Sequence, residues 1–248
     1  MTAPLLVFDF DGVLVDGMRE YWWSARRAVL ALAPGVPLPE RAPEGFALLR
    51  PWIHKGWEMV LMAAELSRPD LNLLELLADY DGALSAALSR WSWDPPLLQS
   101  TLERVRREAI AEDRGGWLAL HRFYPGVPER LMALAEEGSS WLVLTTKGGA
   151  FAQELLAAAG LEPAMVYGHE QGSKPEVLAR LRESARPLWF VEDRRPTLEL
   201  VRGTPGLEAV RCFLVSWGYL GARDGEDLPE GIALLEPQVF AAPLAQWP

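Results

Sequence analysis

The sequence predicts an α/β protein, a doubly wound parallel sheet carrying an inserted block of helices. Three observations predict it. A short, almost wholly apolar run stands near the start, Leu5 to Phe10. From Phe123 onward, short apolar runs alternate with helical patterns, which implies parallel strands joined by crossover helices. Between these regions, Met18 to about Arg122 has mostly helical spacing.

Leu5 to Phe10 has the continuous hydrophobicity of a strand covered on both faces and runs into "DFDG". The helical block reads "MREYWWSARRAVLALA", "WEMVLMAAEL", "LNLLELLADY" and "LLQSTLERVRREAIAED", broken by the Pro-rich stretch Pro34 to Pro43 and by Pro95-Pro96. After "FYPG", a helix is expected over Glu129 to Glu137, a strand over Trp141 to Thr145, and a helix from Ala150 to Ala159 stopped by Gly160. A strand near Met165 to Tyr167, a helix opened by Pro175, and a strand from Leu188 to Val191 follow. A helix through Leu198 to Val201 and a last strand, Val210 to Val215, complete the expected series. The expected division is a sheet-bearing core, residues 1–16 and 123–248, and a helical block, residues 17–122.

The 248 residues, half of them hydrophobic, suffice for one large domain or two modest ones. A formal net charge of -10 and the absence of a Lys/Arg run argue against a broad nucleic-acid surface. No apolar run has the length of a bilayer span, and the start has no basic segment ahead of its apolar run, so neither membrane insertion nor a signal peptide is expected and the expected location is cytoplasmic. The single cysteine, Cys212, lies in "VRCFLV" and reads as a buried structural thiol.

Ligands of open parallel sheets bind outside the carboxyl ends of the strands. There the sequence places Asp9 and Asp11, Thr145 and Thr146, and Glu192 and Asp193, with Lys174 ahead of the helix between the last two of these strands. Taken alone, "DFDG" reads equally as a functional carboxylate pair or as a solvated turn or helix cap. Carboxylates and hydroxyls from three strand ends, with an ammonium, instead suit a magnesium ion and a phosphate ester. Asp9, Glu192 and Asp193 would hold the ion. Asp9 would attack phosphorus, and Asp11, counted with the metal residues but with its side chain outside the metal shell, would move protons. Thr145 would donate to the transferring group and Lys174 would balance its charge. Gly12 and Thr146 are further candidate substrate contacts.

The stretches "DFDG", "WLVLTTK", "GSKPEVL" and "LWFVEDR" resemble, in order and in strand context, the four motifs of the haloacid dehalogenase superfamily. The resemblance implies a Rossmann-like core with a helical cap, and a phosphatase similar to beta-phosphoglucomutase and phosphoglycolate phosphatase, acting with Mg2+ on a small phosphorylated metabolite. It implies that Asp9 is the nucleophile, Asp11 the general acid/base, Thr145 and Lys174 the second- and third-motif residues, and Asp193 a magnesium ligand. Where many members carry a further aspartate, "EDRRPTLE" has none, and the adjacent pair Glu192-Asp193 looks like the variant in which both acids serve the metal.

In the cap, "LLRPWIHKGWEMVL" concentrates Arg50, His54 and Lys55, which are candidate substrate contacts; surface charge is the alternative reading. Packing is the expected role of most cap tryptophans. "VSWGYLG" either lines the cleft or closes the sheet edge, and Arg194 and Arg195 read as helix-start charges, with phosphate or carboxylate partners as the alternative. Two other functions stay open: a sugar phosphomutase, although "MREYWW" has no histidine after the nucleophile, and a silent binding module that uses the Trp-rich cap. Monomer and homodimer are equally compatible with the sequence.

Overall fold

A computed structural model describes residues 3–183 and 186–248. The chain divides into two compact units, one built from the chain up to Asp16 and from Arg122 onward, the other from Gly17–His121.

Strand β1, Leu5–Phe8, is buried at every position, as its unbroken apolar sequence requires. A turn leads into the two-residue strand β2, Val15–Asp16. The chain then forms the helical unit: α1 (Met18–Leu32), α2 (Glu44–Leu49), α3 (Gly56–Glu65), α4 (Leu73–Ala78), α5 (Tyr80–Trp91) and α6 (Pro95–Leu118). Helix α3 is buried from Glu58 to Glu65 and packs on α1, α5 and α6, so its apolar residues run round the whole helix instead of forming one stripe. Pro95 and Pro96 occupy the first turn of α6, where proline gives up no helical hydrogen bond, and Asp94 caps that turn by accepting the Leu97 N–H at 2.8 Å. Trp22 and Trp117 are buried, and Trp22 meets Phe46 edge to face, so these cap tryptophans pack the interior.

The chain re-enters the first unit through β3, Arg122–Phe123, which pairs antiparallel with β2. Then come α7 (Val127–Ala133), β4 (Ser140–Leu144), α8 (Gly149–Ala158), β5 (Val166–Tyr167), α9 (Lys174–Arg182), β6 (Leu188–Glu192), α10 (Arg195–Gly203), β7 (Arg211–Val215), β8 (Ile232–Leu235) and α11 (Pro237–Ala241). The sheet has six parallel strands in the order β5-β4-β1-β6-β7-β8. One face buries Leu5, Val7, Leu142 and Phe190 with the apolar sides of α9 and α10. On the other face Phe8 and Trp141 meet edge to face, and Trp247, next to the C-terminus, packs on Trp189, Phe213 and Phe240.

Two expectations are corrected. Val210 to Val215 is not the last strand: β8 adds to the sheet edge through a connection without a helix, so the alternation that announces the other strands is missing. Strand pairing by β1 also ends at Phe8, before Phe10, because the chain turns there, with the N–H groups of Leu14 and Val15 both donating to the Phe10 carbonyl. Cys212 is buried, and burial pushes its thiol up to about 12, as for an inert structural cysteine. No helix among the described residues is long and apolar enough to cross a membrane.

Candidate active site

The site is built from the carboxyl ends of the three central strands. Parallel pairing sets Phe8 opposite Val191 and Val143, so Asp9, the first residue past β1, lies level with Glu192 and Leu144, the last residues of β6 and β4. The Asp9 N–H is fixed on the Val191 carbonyl at 2.9 Å. Asp9, Glu192 and Asp193 are all buried and offer oxygens that lie within 4.8 Å of one another. Asp11 does not belong to this group. The turn after β1, rather than the alternation of an extended strand, sets its position.

Two lysines serve these acids. Lys174, the first residue of α9, puts Nζ 3.0 Å from an Asp9 oxygen and 2.6 Å from Glu192 Oε2. The other Glu192 oxygen accepts the backbone N–H groups of Asp193 and Arg194 at 3.1 and 3.2 Å. Lys147, three residues beyond the end of β4, lies 3.2 and 3.4 Å from the two Asp11 oxygens. The backbone N–H of Lys147 donates to Thr145 Oγ1 at 3.1 Å, and Thr145 is buried where Thr146 is exposed.

The electrostatics follow from burial. Desolvation, then the charges of Glu192 and Asp11, push Asp9 up to about 7 against the pull of Lys174. Burial and Asp193 likewise raise Glu192, opposed by Lys174. For Lys174 burial favours loss of the proton, but Asp9 and Glu192 outweigh it and hold the ammonium above its ordinary value. Lys147 and Lys174 thus stand among four carboxylates, those of Asp9, Asp11, Glu192 and Asp193. The all-oxygen donor set of Asp9, Glu192 and Asp193 could hold a hard divalent cation.

The loop after β7 completes the surroundings. The Tyr219 N–H donates to Asp193 Oδ2 at 2.9 Å, its hydroxyl donates to Asp16 at 2.8 Å, and Trp217 Nε1 donates to the Val13 carbonyl at 3.1 Å. Gly12 has φ +91, and a Cβ there would run into the Asp193 carboxylate and the Tyr219 ring, so the turn and the acid interlock.

The strand ends and the start of α9 thus bring together Asp9, Asp11, Thr145, Lys174, Glu192 and Asp193. Arg50, His54 and Lys55 belong to the helical unit. There Arg50 is buried, lies 5.2 Å from the Tyr21 ring centroid and donates to the Ile53 carbonyl. The His54 ring lies beside Tyr80, and its backbone N–H donates to Glu58 at 2.8 Å. Lys55 is exposed at the start of α3. Arg195 staples a surface loop: it pairs with Glu199 and donates to the Glu226 and Asp227 carbonyls. Sequence reasoning missed Lys147 and, although "VSWGYLG" stood as a candidate cleft lining, did not single out Tyr219. The available signals were a lysine in the otherwise small "LTTKGG" and an aromatic between glycines in "SWGYLG".

No family model and no curated protein matches the chain. Solved structures do. The phosphoglycolate phosphatase predicted in Haemophilus somnus is similar at 18% identity and TM-score 0.61, with 97% of this chain and 96% of that one covered. A haloacid dehalogenase-like family hydrolase from Streptococcus pneumoniae is similar at 15% identity and TM-score 0.59, with 96% of each covered. Protein Tyrosine Kinase A of Mycobacterium tuberculosis is similar at 22% identity and TM-score 0.55, with 99% of this chain and 97% of that one covered. These likenesses show the fold, that of the haloacid dehalogenase-like hydrolases. Because a protein called a kinase shares it, the reaction must be argued from the site.

Proposed function

We propose that this protein is a magnesium-dependent phosphomonoester hydrolase of the haloacid dehalogenase superfamily, acting on a small phosphorylated metabolite through an aspartyl phosphate on Asp9. The observation that carries the reading is the unequal placing of the two "DFDG" aspartates. Asp9 sits buried within the acid cluster and on Lys174, whereas Asp11 lies outside the cluster on a lysine of its own.

In the first half-reaction an Asp9 carboxylate oxygen bonds to phosphorus, the ester P–O bond breaks, and Asp11 gives a proton to the departing oxygen. In the second, a water oxygen bonds to phosphorus, its proton passes to Asp11, and Asp9 leaves as the free carboxylate. Thr145, whose oxygen already accepts the Lys147 N–H, directs its own hydrogen toward a phosphoryl oxygen, and Lys174 balances charge on that group. Asp9, Asp193 and Glu192 would hold Mg2+, which when bound neutralises phosphoryl charge. Glu192 also anchors Lys174. Gly12, Thr146, Arg50, His54 and Lys55 remain the proposed contacts to the substrate.

The test is phosphate release by purified protein from a broad panel of phosphate esters, with and without Mg2+. Release that needs the metal and disappears in Asp9→Asn supports the reading. Folded, metal-supplied protein that hydrolyses nothing overturns it, and transfer of phosphate between sugar positions, without release to water, would show a phosphomutase instead.

A further inference from the structure

Two aspartates of one turn are chemically identical, yet the proposed reaction needs one beside the metal and the other outside its shell. The second must also be held at a fixed orientation to take a proton from water. We propose that Lys147 is a positioning residue that acts through Asp11, setting that carboxylate for the half-reaction in which it takes a proton from water. The inference rests on the phosphatase reading above.

The geometry is specific. The Lys147 side chain is 1% exposed, and Nζ is within 3.4 Å of both Asp11 oxygens. A lysine loses most of its rotamer freedom and its hydration on such burial, so it stays buried only when paired. A carboxylate met at both oxygens is also held against rotation about its own Cβ–Cγ bond. Lys174 meets Asp9 and Glu192, and Lys147 meets Asp11. The Lys147 backbone N–H simultaneously fixes Thr145 Oγ1 at 3.1 Å, which ties the loop carrying the ammonium to the end of β4. In dephosphorylation the water oxygen bonds to phosphorus as the bond from Asp9 breaks, and the water proton goes to the Asp11 oxygen so held.

The experiment uses the full chain with Mg2+ and para-nitrophenyl phosphate, whose leaving group needs no proton. In Lys147→Met, kcat is expected to fall about 100-fold, the scale of one misplaced proton-transfer group. The corresponding kcat/KM should stay within about threefold of wild type, because it reports the first half-reaction alone. Phosphorylated protein should therefore accumulate on acid quenching. In the Asp11→Asn background, adding Lys147→Met should change rates by less than about threefold, since residues acting through one another are not additive. That double variant removes both members of the ion pair and decides the matter even where the single variant fails to fold. Loss of kcat/KM in step with kcat, an unchanged kcat in Lys147→Met, or a double variant well below Asp11→Asn each overturns the inference. A silent wild-type protein instead overturns the phosphatase reading beneath it.

Discussion

Lys174 bridges Asp9 and Glu192, its ammonium 3.0 Å from the first and 2.6 Å from the second. One side chain at the start of α9 therefore compensates the ends of β1 and β6 together. Lys174→Met leaves two buried carboxylates facing each other and a neighbouring Asp193. Breaking a buried pair from one side costs about 3–5 kcal/mol. The expected outcome is a urea midpoint lowered accordingly in metal-free protein, with phosphate release lost. An unchanged midpoint would show that the bridge contributes nothing to the fold.

Asp9 links stability to pH. Its proton is held up to about 7 in the folded protein against 3.8 for the ordinary carboxyl. Between these values the folded state binds more protons than the unfolded chain, so stability falls as pH rises from about 4 to about 7. The full penalty at higher pH is on the order of 4 kcal/mol. Melting of chelator-treated protein should show this slope, and Asp9→Asn should reduce it, leaving the part that Glu192, raised by the same burial, contributes. Because a ligand carboxyl must first lose its proton, added Mg2+ should raise the melting temperature more near pH 8 than near pH 5. Equal slopes in wild type and Asp9→Asn would exclude Asp9 as the source.

Gly12 and Gly126 both have positive φ, +91 and +79, but only Gly12 has neighbours where a Cβ would stand. Alanine at either position costs about 1–2 kcal/mol of backbone strain. At Gly12 it must also displace the Asp193 carboxylate, and disturbance around a ligand typically weakens metal binding about 10–100-fold. Calorimetric Mg2+ titration should show that loss in Gly12→Ala and wild-type affinity in Gly126→Ala. Equal affinities would disconnect the turn from the acid.

These residues also mark how far the sequence could be read. The ends of β1, β4 and β6 were legible because strands covered on both faces read as unbroken apolar runs, and the rule that sites lie past such ends needs no side-chain detail. That rule led to Asp9, Glu192, Asp193, Thr145 and Lys174. Lys147 escaped it because a lysine among threonines and glycines reads as a solvated turn, and only the fold shows it buried on Asp11. The position of Asp11 is set by a turn, and turn geometry is carried by backbone torsions that an apolar pattern does not encode. Strand β8 escaped for a related reason: Ile232–Leu235 is short and follows a connection without a helix.

Inside the helical unit, Arg106 and Glu20 form a second buried pair, one the sequence pattern does not announce because the two are 86 residues apart. Arg106 Nε and Nη2 donate to the two Glu20 oxygens at 2.8 Å each, and the side chains are 3% and 0% exposed. Glu20 also accepts from Ser24 and, at 3.4 Å, from Trp117. The pair stitches α1 to α6. Removing one partner strands a charge without solvent, so Arg106→Met should destabilise by about 3–5 kcal/mol. Replacing both, Glu20→Met with Arg106→Met, removes the stranded charge and should cost clearly less than the single change, because the attraction within a buried pair largely goes to offset its own desolvation. Urea denaturation of the three proteins measures this directly. A double variant that loses the sum of the two single losses would mean that Arg106 and Glu20 act independently, and would remove the pair as the link between α1 and α6.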